Sequence, residues 1–200
     1  MTRRAWIALA YAAVVVASAV GARYPADWWL ENLVVFAAAA GVALAWRRGF
    51  VLSDRSLLLL ALLGALHAYG AHYTYSETPL GNALRDAFGL ARNPYDRLVH
   101  FAFGLLLATP LREVALRAVG ARGIWSFLVA LAGALAISAS YELVESWAAR
   151  LVAPELGTAY LGTQGDPWDA QKDMSAAFAG AALVLGATAL AGAARRAPGG

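Results

Sequence analysis

The stretch Ile124–Ala148, IWSFLVALAGALAISASYELVESWA, holds no charged residue before Glu142, then carries Glu142 and Glu145 three residues apart. As an α-helix it rises about 37 Å, more than the roughly 30 Å of hydrocarbon in a bilayer. Lipid offers no partner to an unpaired backbone group, so such a segment crosses as a helix. Working outward, five more stretches share its character: Ala5–Ala22, Leu30–Trp46, Ser56–His72, Leu98–Leu111 and Met174–Ala194. The fourth span of the chain, Leu98–Leu111, is short and needs the preceding turn, from about Tyr95, to complete it.

Composition carries the same message. The 200-residue chain is 60% hydrophobic and 14% charged, with a mean hydropathy of +0.56; a soluble domain carries about 25% charged residues. A soluble enzyme, a disordered tail and a nucleic-acid-binding domain are therefore excluded, despite a pI near 9.4. With no cysteine there is no disulfide, thiolate metal site or cysteine nucleophile. Any metal or acid–base chemistry falls to His, Asp, Glu or backbone oxygen. The expectation is one integral membrane domain over residues 1–200, an all-α bundle of about six transmembrane helices. Its partner is the lipid bilayer and not nucleic acid, and a bundle this small is compatible with a homo-oligomer.

Orientation follows from the basic residues. With the N-terminus cytoplasmic, the inner side holds Arg3, Arg4, Arg47, Arg48, Arg55, Arg112, Arg117, Arg122, Arg195 and Arg196 against only Asp54 and Glu113. Both termini are thus expected in the cytoplasm. Thr2-Arg3-Arg4 before an apolar run resembles the start of a signal peptide. That run of about 18 residues is longer than a usual signal core, so an uncleaved helix is expected.

Polar residues gather in two loops on the outer side. The first runs from His72 through Glu77, Asn82, Arg85 and Asp86 to Asn93-Pro94-Tyr95-Asp96-Arg97; the second runs from Arg150 to Asp173. Loops of about 25 residues exceed ordinary connections and are more often functional. Within the first, Leu80–Leu90 reads as a short amphipathic helix ended by Gly89. Asp96 and His100, spaced i,i+4, share a face, as do Glu142 and Glu145 and, at the start of the last span, Asp169 and Asp173. His67 lies deeper in the third span. A carboxylate inside a span costs at least about 2.5–3.5 kcal/mol, which makes it a functional candidate. Two carboxylates one turn apart must face a polar interior, share a proton, meet Arg97, Arg150 or Lys172, or bind a cation.

Five stretches also carry a resemblance. They are YTYSETPLGN (73–82), RDAFGLARN (85–93), YDRLVHF (95–101), SYELVESW (140–147) and LGTQGDPWDAQKD (161–173). The chain resembles the YjdF-type bacterial inner-membrane proteins, which carry a domain of unknown function. The resemblance implies a multi-pass protein of the bacterial inner membrane. More distantly, the chain is similar to VanZ-like membrane proteins, associated with resistance to glycopeptides such as teicoplanin. Their Asp, basic residue and His-Phe pattern looks like Asp96-Arg97-x-x-His100-Phe101. Their acid on the next helix falls at Glu142, and their last Asp and Gly at Asp173 and Gly180. The Asn usual between those two is Ala177 here. Neither family supplies an established reaction.

The functional expectation is a polar His/Glu/Asp pocket at the extracytoplasmic face that binds a divalent cation such as zinc. His67, His100, Glu142, Asp169 and Asp173 are its candidate ligands, and Asp96 orients His100. Alternatives are a metal-dependent membrane hydrolase acting on a lipid or envelope substrate, with Glu145 as general base and Asp96 assisting, and a proton- or cation-coupled transporter or flippase. The ligand class, envelope lipid or small molecule, stays open at this point.

Overall fold

The computed structural model describes residues 1–151 and 164–195, and of residues 149–151 the backbone alone. Its elements are α1 (Arg3–Ala19), α2 (Pro25–Arg47), α3 (Asp54–Tyr73), α4 (Pro79–Phe88), α5 (Tyr95–Val114), α6 (Ile124–Leu151) and α7 (Asp169–Ala194). A 3₁₀ turn, Tyr75–Glu77, precedes α4, and a π-type turn, Ala115–Val119, follows α5. Helices α2, α3, α5, α6 and α7 are long and apolar enough to cross a membrane. Helix α1 has 17 residues, about 25 Å of rise, the short end of the range for a membrane-crossing helix.

Local chemistry sets the helix ends. Thr2 and Ser53 cap α1 and α3, each side-chain oxygen accepting from a backbone N–H three residues on. Pro25 and Pro79 occupy first-turn positions, where the missing N–H costs nothing. Gly89, at φ +63°, ends α4 in the left-handed region. Two helices begin earlier than hydropathy suggests: α2 at Pro25 rather than Leu30, and α7 at Asp169 rather than Met174. Their opening turns carry Asp27 in α2 and Asp169 and Asp173 in α7, acids that lie ahead of the spans a hydropathy reading marks.

Helix α5 is the hub, packing against α3, α6 and α7. Its seam with α7 is the most extensive in the bundle. The two run parallel: Arg97 meets Asp173 at one end, and Ala108 clusters with Ala181 and Leu185 further along. Gly104 lies against the Ala177 carbonyl and Gly180 against the Phe101 carbonyl, so closely that a Cβ on either would overlap backbone. Small residues at a membrane helix seam allow this approach.

Helices α3 and α6 run antiparallel to α5. At the end of the bundle near the N-terminus, Glu113 of α5 accepts from Ser53 N (2.8 Å), Ser53 Oγ (2.7 Å) and Ser56 Oγ (2.6 Å), and from Arg117. Arg4 pairs with Asp54 there at 2.6 Å. At the opposite end, Tyr95 OH donates to the Leu66 carbonyl at 2.7 Å.

Buried Asn93 organises that opposite end. Its Oδ1 accepts from Tyr95 N, and its Nδ2 donates to Thr78 O and Asn82 Oδ1, at 3.0–3.1 Å. Gly81 packs so tightly on Asn93 that a side chain there would collide with its amide. The Gln164 amide pairs with both backbone groups of Asn93, accepting at 2.9 Å and donating at 3.1 Å. These bonds fix the starts of α5 and α7 side by side. Residues 152–163, which include Gly162 and Thr163 of the second polar loop, lie outside the described residues.

Candidate functional site

Five helices bring titratable side chains to the end opposite the N-terminus. Helix α2 contributes Glu31, α3 His67, α5 Asp96 and His100, α6 Glu142 and Glu145, and α7 Asp169 and Asp173. At the centre, ligand-type atoms of Asp96, His100 and Asp173 all lie within 4.8 Å of one another. The Nε2 of His100 faces Asp96 Oδ1 at 3.6 Å and Glu142 Oε1 at 3.4 Å. Both distances exceed the roughly 2.7–3.2 Å of an N–H···O bond. Glu142 Oε1 is buried and has no hydrogen-bond donor among the described residues. The Tyr141 ring packs edge-on against the His100 imidazole at 6.1 Å between centroids.

The arginines go elsewhere. Arg97 donates through Nε to Asp173 Oδ1 at 3.0 Å and through Nη2 to Asp169 Oδ1 at 2.5 Å, and Arg92 also donates to Asp169 Oδ1. Lys172 pairs with Asp166 at 2.6 Å. Neither Arg97 nor Lys172 therefore takes up Glu142 or Glu145, and the Arg150 side chain lies outside the described residues. Among the described residues no lysine or arginine ion pair reaches Glu31, Asp96, Glu142 or Glu145. Asp96 and Glu145 are electrostatic neighbours of each other and of Glu31, Glu142 and Asp173. Four carboxylates thus share one region without a basic ion-pair partner among the described residues.

A second layer backs this centre. Tyr75 OH bonds His67 Nδ1 at 2.7 Å, and His67 Nε2 is buried without a partner among the described residues. Burial pushes the Tyr75 phenol well above its usual range, so it keeps its proton to donate. On the other side, Tyr141 OH donates to Glu31 Oε2 at 2.8 Å. Glu31 is only 5% exposed and the adjacent Asn32 is fully buried.

Of the residues expected from sequence, Asp96, His100, Glu142 and Asp173 come together. Asp169 sits at the arginine side of the cluster, held by Arg92 and Arg97. His67 lies in the second layer, bonded to Tyr75, and Glu145 is part of the uncompensated group. Sequence reasoning missed Glu31, Tyr141 and Tyr75. Glu31 falls at the edge of the span expected from Leu30 and was passed over; its signal was an acid beside Asn32 inside the apolar run WWLENLVVF.

Comparison with known proteins places this geometry in context. The family described as Predicted membrane protein (DUF2238) matches residues 3–194. The chain is 41% identical over 155 residues to Inner membrane protein YjdF of Escherichia coli (strain K12), covering 76% of this chain and 73% of that relative. No solved structure matches the chain significantly.

Proposed function

Because the chain belongs to this DUF2238 family of predicted membrane proteins, and is a multi-pass protein of the bacterial inner membrane, we infer that it acts at a bilayer. We propose that it binds a divalent cation among Asp96, His100, Glu142 and Asp173, at the extracytoplasmic face. One observation carries the reading: His100 Nε2 stands 3.4 and 3.6 Å from two carboxylate oxygens without hydrogen-bonding either. Ligand atoms about 2.1 Å from a tetrahedral ion are about 3.4 Å apart, so each spacing suits two ligands of one ion, and Asp96, His100 and Asp173 lie within 4.8 Å of one another. Asp173 adds a third carboxylate that Arg97 holds in place, as an outer partner holds a metal ligand. One imidazole with several carboxylates suits manganese or magnesium as well as zinc. Both termini are cytoplasmic on this reading, which puts the cation where an envelope ligand arrives.

Elemental analysis of the detergent-purified, tag-free protein tests it, after loading with zinc or manganese and desalting. About one ion per chain is expected, lost in both His100→Ala and Glu142→Gln. An ion-free protein after loading, or an ion that both variants retain, rejects the reading.

A further inference from the structure

We propose that Arg92, Arg97 and Lys172 form a binding site for a phosphate group, which the protein itself fills with the Asp166 carboxylate. Three cations, from the loop before α5, from α5 and from α7, converge on one oxygen. Lys172 Nζ lies 2.6 Å from Asp166 Oδ2, and Arg92 Nη1 and Arg97 Nη2 each lie 3.8 Å from the same atom. Asp166 Oδ1 accepts from Trp168 N at 3.1 Å, and its carbonyl from Asp169 N at 3.3 Å. Two planar guanidiniums, an ammonium and a backbone N–H in the turn before a long helix are the donors that recognise phosphate oxygens. The Lys172 hydrogen bond, with the Trp168 N–H and the Arg92 charge, holds the Asp166 carboxyl below its usual range. The occupant is therefore an anion, with one charge where a phosphate ester carries up to two.

Among the described residues, the other charged groups facing this position are Asp169 and Asp173. Arg92 and Arg97 already pair with Asp169, and Arg97 with Asp173. Once Asp166 leaves, Arg92, Arg97 and Lys172 face Asp169 and Asp173 among the described residues, which favours an incoming anion. Asp166 competes as a tethered group, at an effective concentration no dilute ligand matches. The proposal therefore has a signature: removing the Asp166 charge strengthens phosphate binding rather than weakening it. The inference stands apart from the cation reading, because the donors are all protein groups.

The test is isothermal titration of the full-length, EDTA-treated protein with inorganic phosphate at matched ionic strength. Asp166→Asn is expected to bind about tenfold tighter than the parent, a gain of about 1.4 kcal/mol, and Asp166→Asn/Lys172→Gln to lose that gain. Equal affinity in parent and Asp166→Asn overturns the proposal, as does a gain that survives loss of Lys172. Should Asp166→Asn fail to fold, Asp166→Ser takes its place in the same comparison. A competition arm then assigns the source. Displacement of phosphate by phosphatidic acid in mixed micelles, and not by phosphatidylcholine, upholds the site as one for a lipid head group. Displacement by neither, with the gain in place, upholds it for a soluble phosphate ester. Elemental analysis of the same preparations before EDTA scores the cation reading separately, so either can fail alone.

Discussion

His100 and Glu31 owe their positions to one residue, Tyr141, whose ring packs on the imidazole and whose hydroxyl donates to the carboxylate. Tyr141→Phe keeps the ring and deletes the donor, leaving a buried acceptor short of a partner at a cost of about 1–3 kcal/mol. Thermal unfolding in detergent should show the loss, while Tyr24→Phe, at an exposed ring, should leave the midpoint unchanged. Tyr75→Phe removes the partner of His67 Nδ1 and is expected to cost about 1 kcal/mol in the same assay. A Tyr141→Phe protein that unfolds like its parent would show that Glu31 does not depend on this bond. For the cation site, the matching residue-scale prediction is the joint loss of bound metal in His100→Ala and Glu142→Gln.

At the scale of elements, the α5–α7 seam is set by two glycines facing carbonyls. Gly104→Ala should force the helices apart and cost about 1–3 kcal/mol, the usual range for overpacking. Gly186→Ala, in open space on the same helix as Gly180, should be neutral, and a melting comparison separates the two. An equal response would mean the seam can slide to admit a methyl. Much of this level was legible in the sequence. Unbroken apolar runs located α3, α5 and α6, and Gly89 marked the end of α4. Hydropathy misplaced the starts of α2 and α7, because the opening turns carry acids, Asp27 in α2 and Asp169 and Asp173 in α7, that apolarity does not mark. The face-sharing pairs Asp96/His100 and Glu142/Glu145 were readable from spacing alone. Their convergence with Glu31 was not, because local spacing carries no information about which helices touch. The arginine partners were hidden for the same reason: 76 residues separate Arg97 from Asp173.

For the whole molecule, the distribution of arginine predicts a sidedness that labelling can read. The chain has no cysteine, so single cysteines report without background. In spheroplasts, an impermeant maleimide should label Asp86→Cys directly and Arg48→Cys only after lysis; both positions are exposed. The reverse pattern would turn the pocket toward the cytoplasm and remove envelope ligands from consideration. The parallel pairing of α5 with α7 has a consequence for biosynthesis. Helix α6 must be made in between, so the half-site of Arg97, Asp96 and His100 leaves the ribosome well before Asp173. At about 5–20 residues per second, that wait is about 4–15 s. Until it ends, Arg92 and Arg97 sit at the membrane without the aspartates that neutralise them. A copy whose translation stops short of α7 therefore keeps Arg92 and Arg97 at the membrane surface without Asp169 and Asp173, the aspartates they pair with in the finished fold.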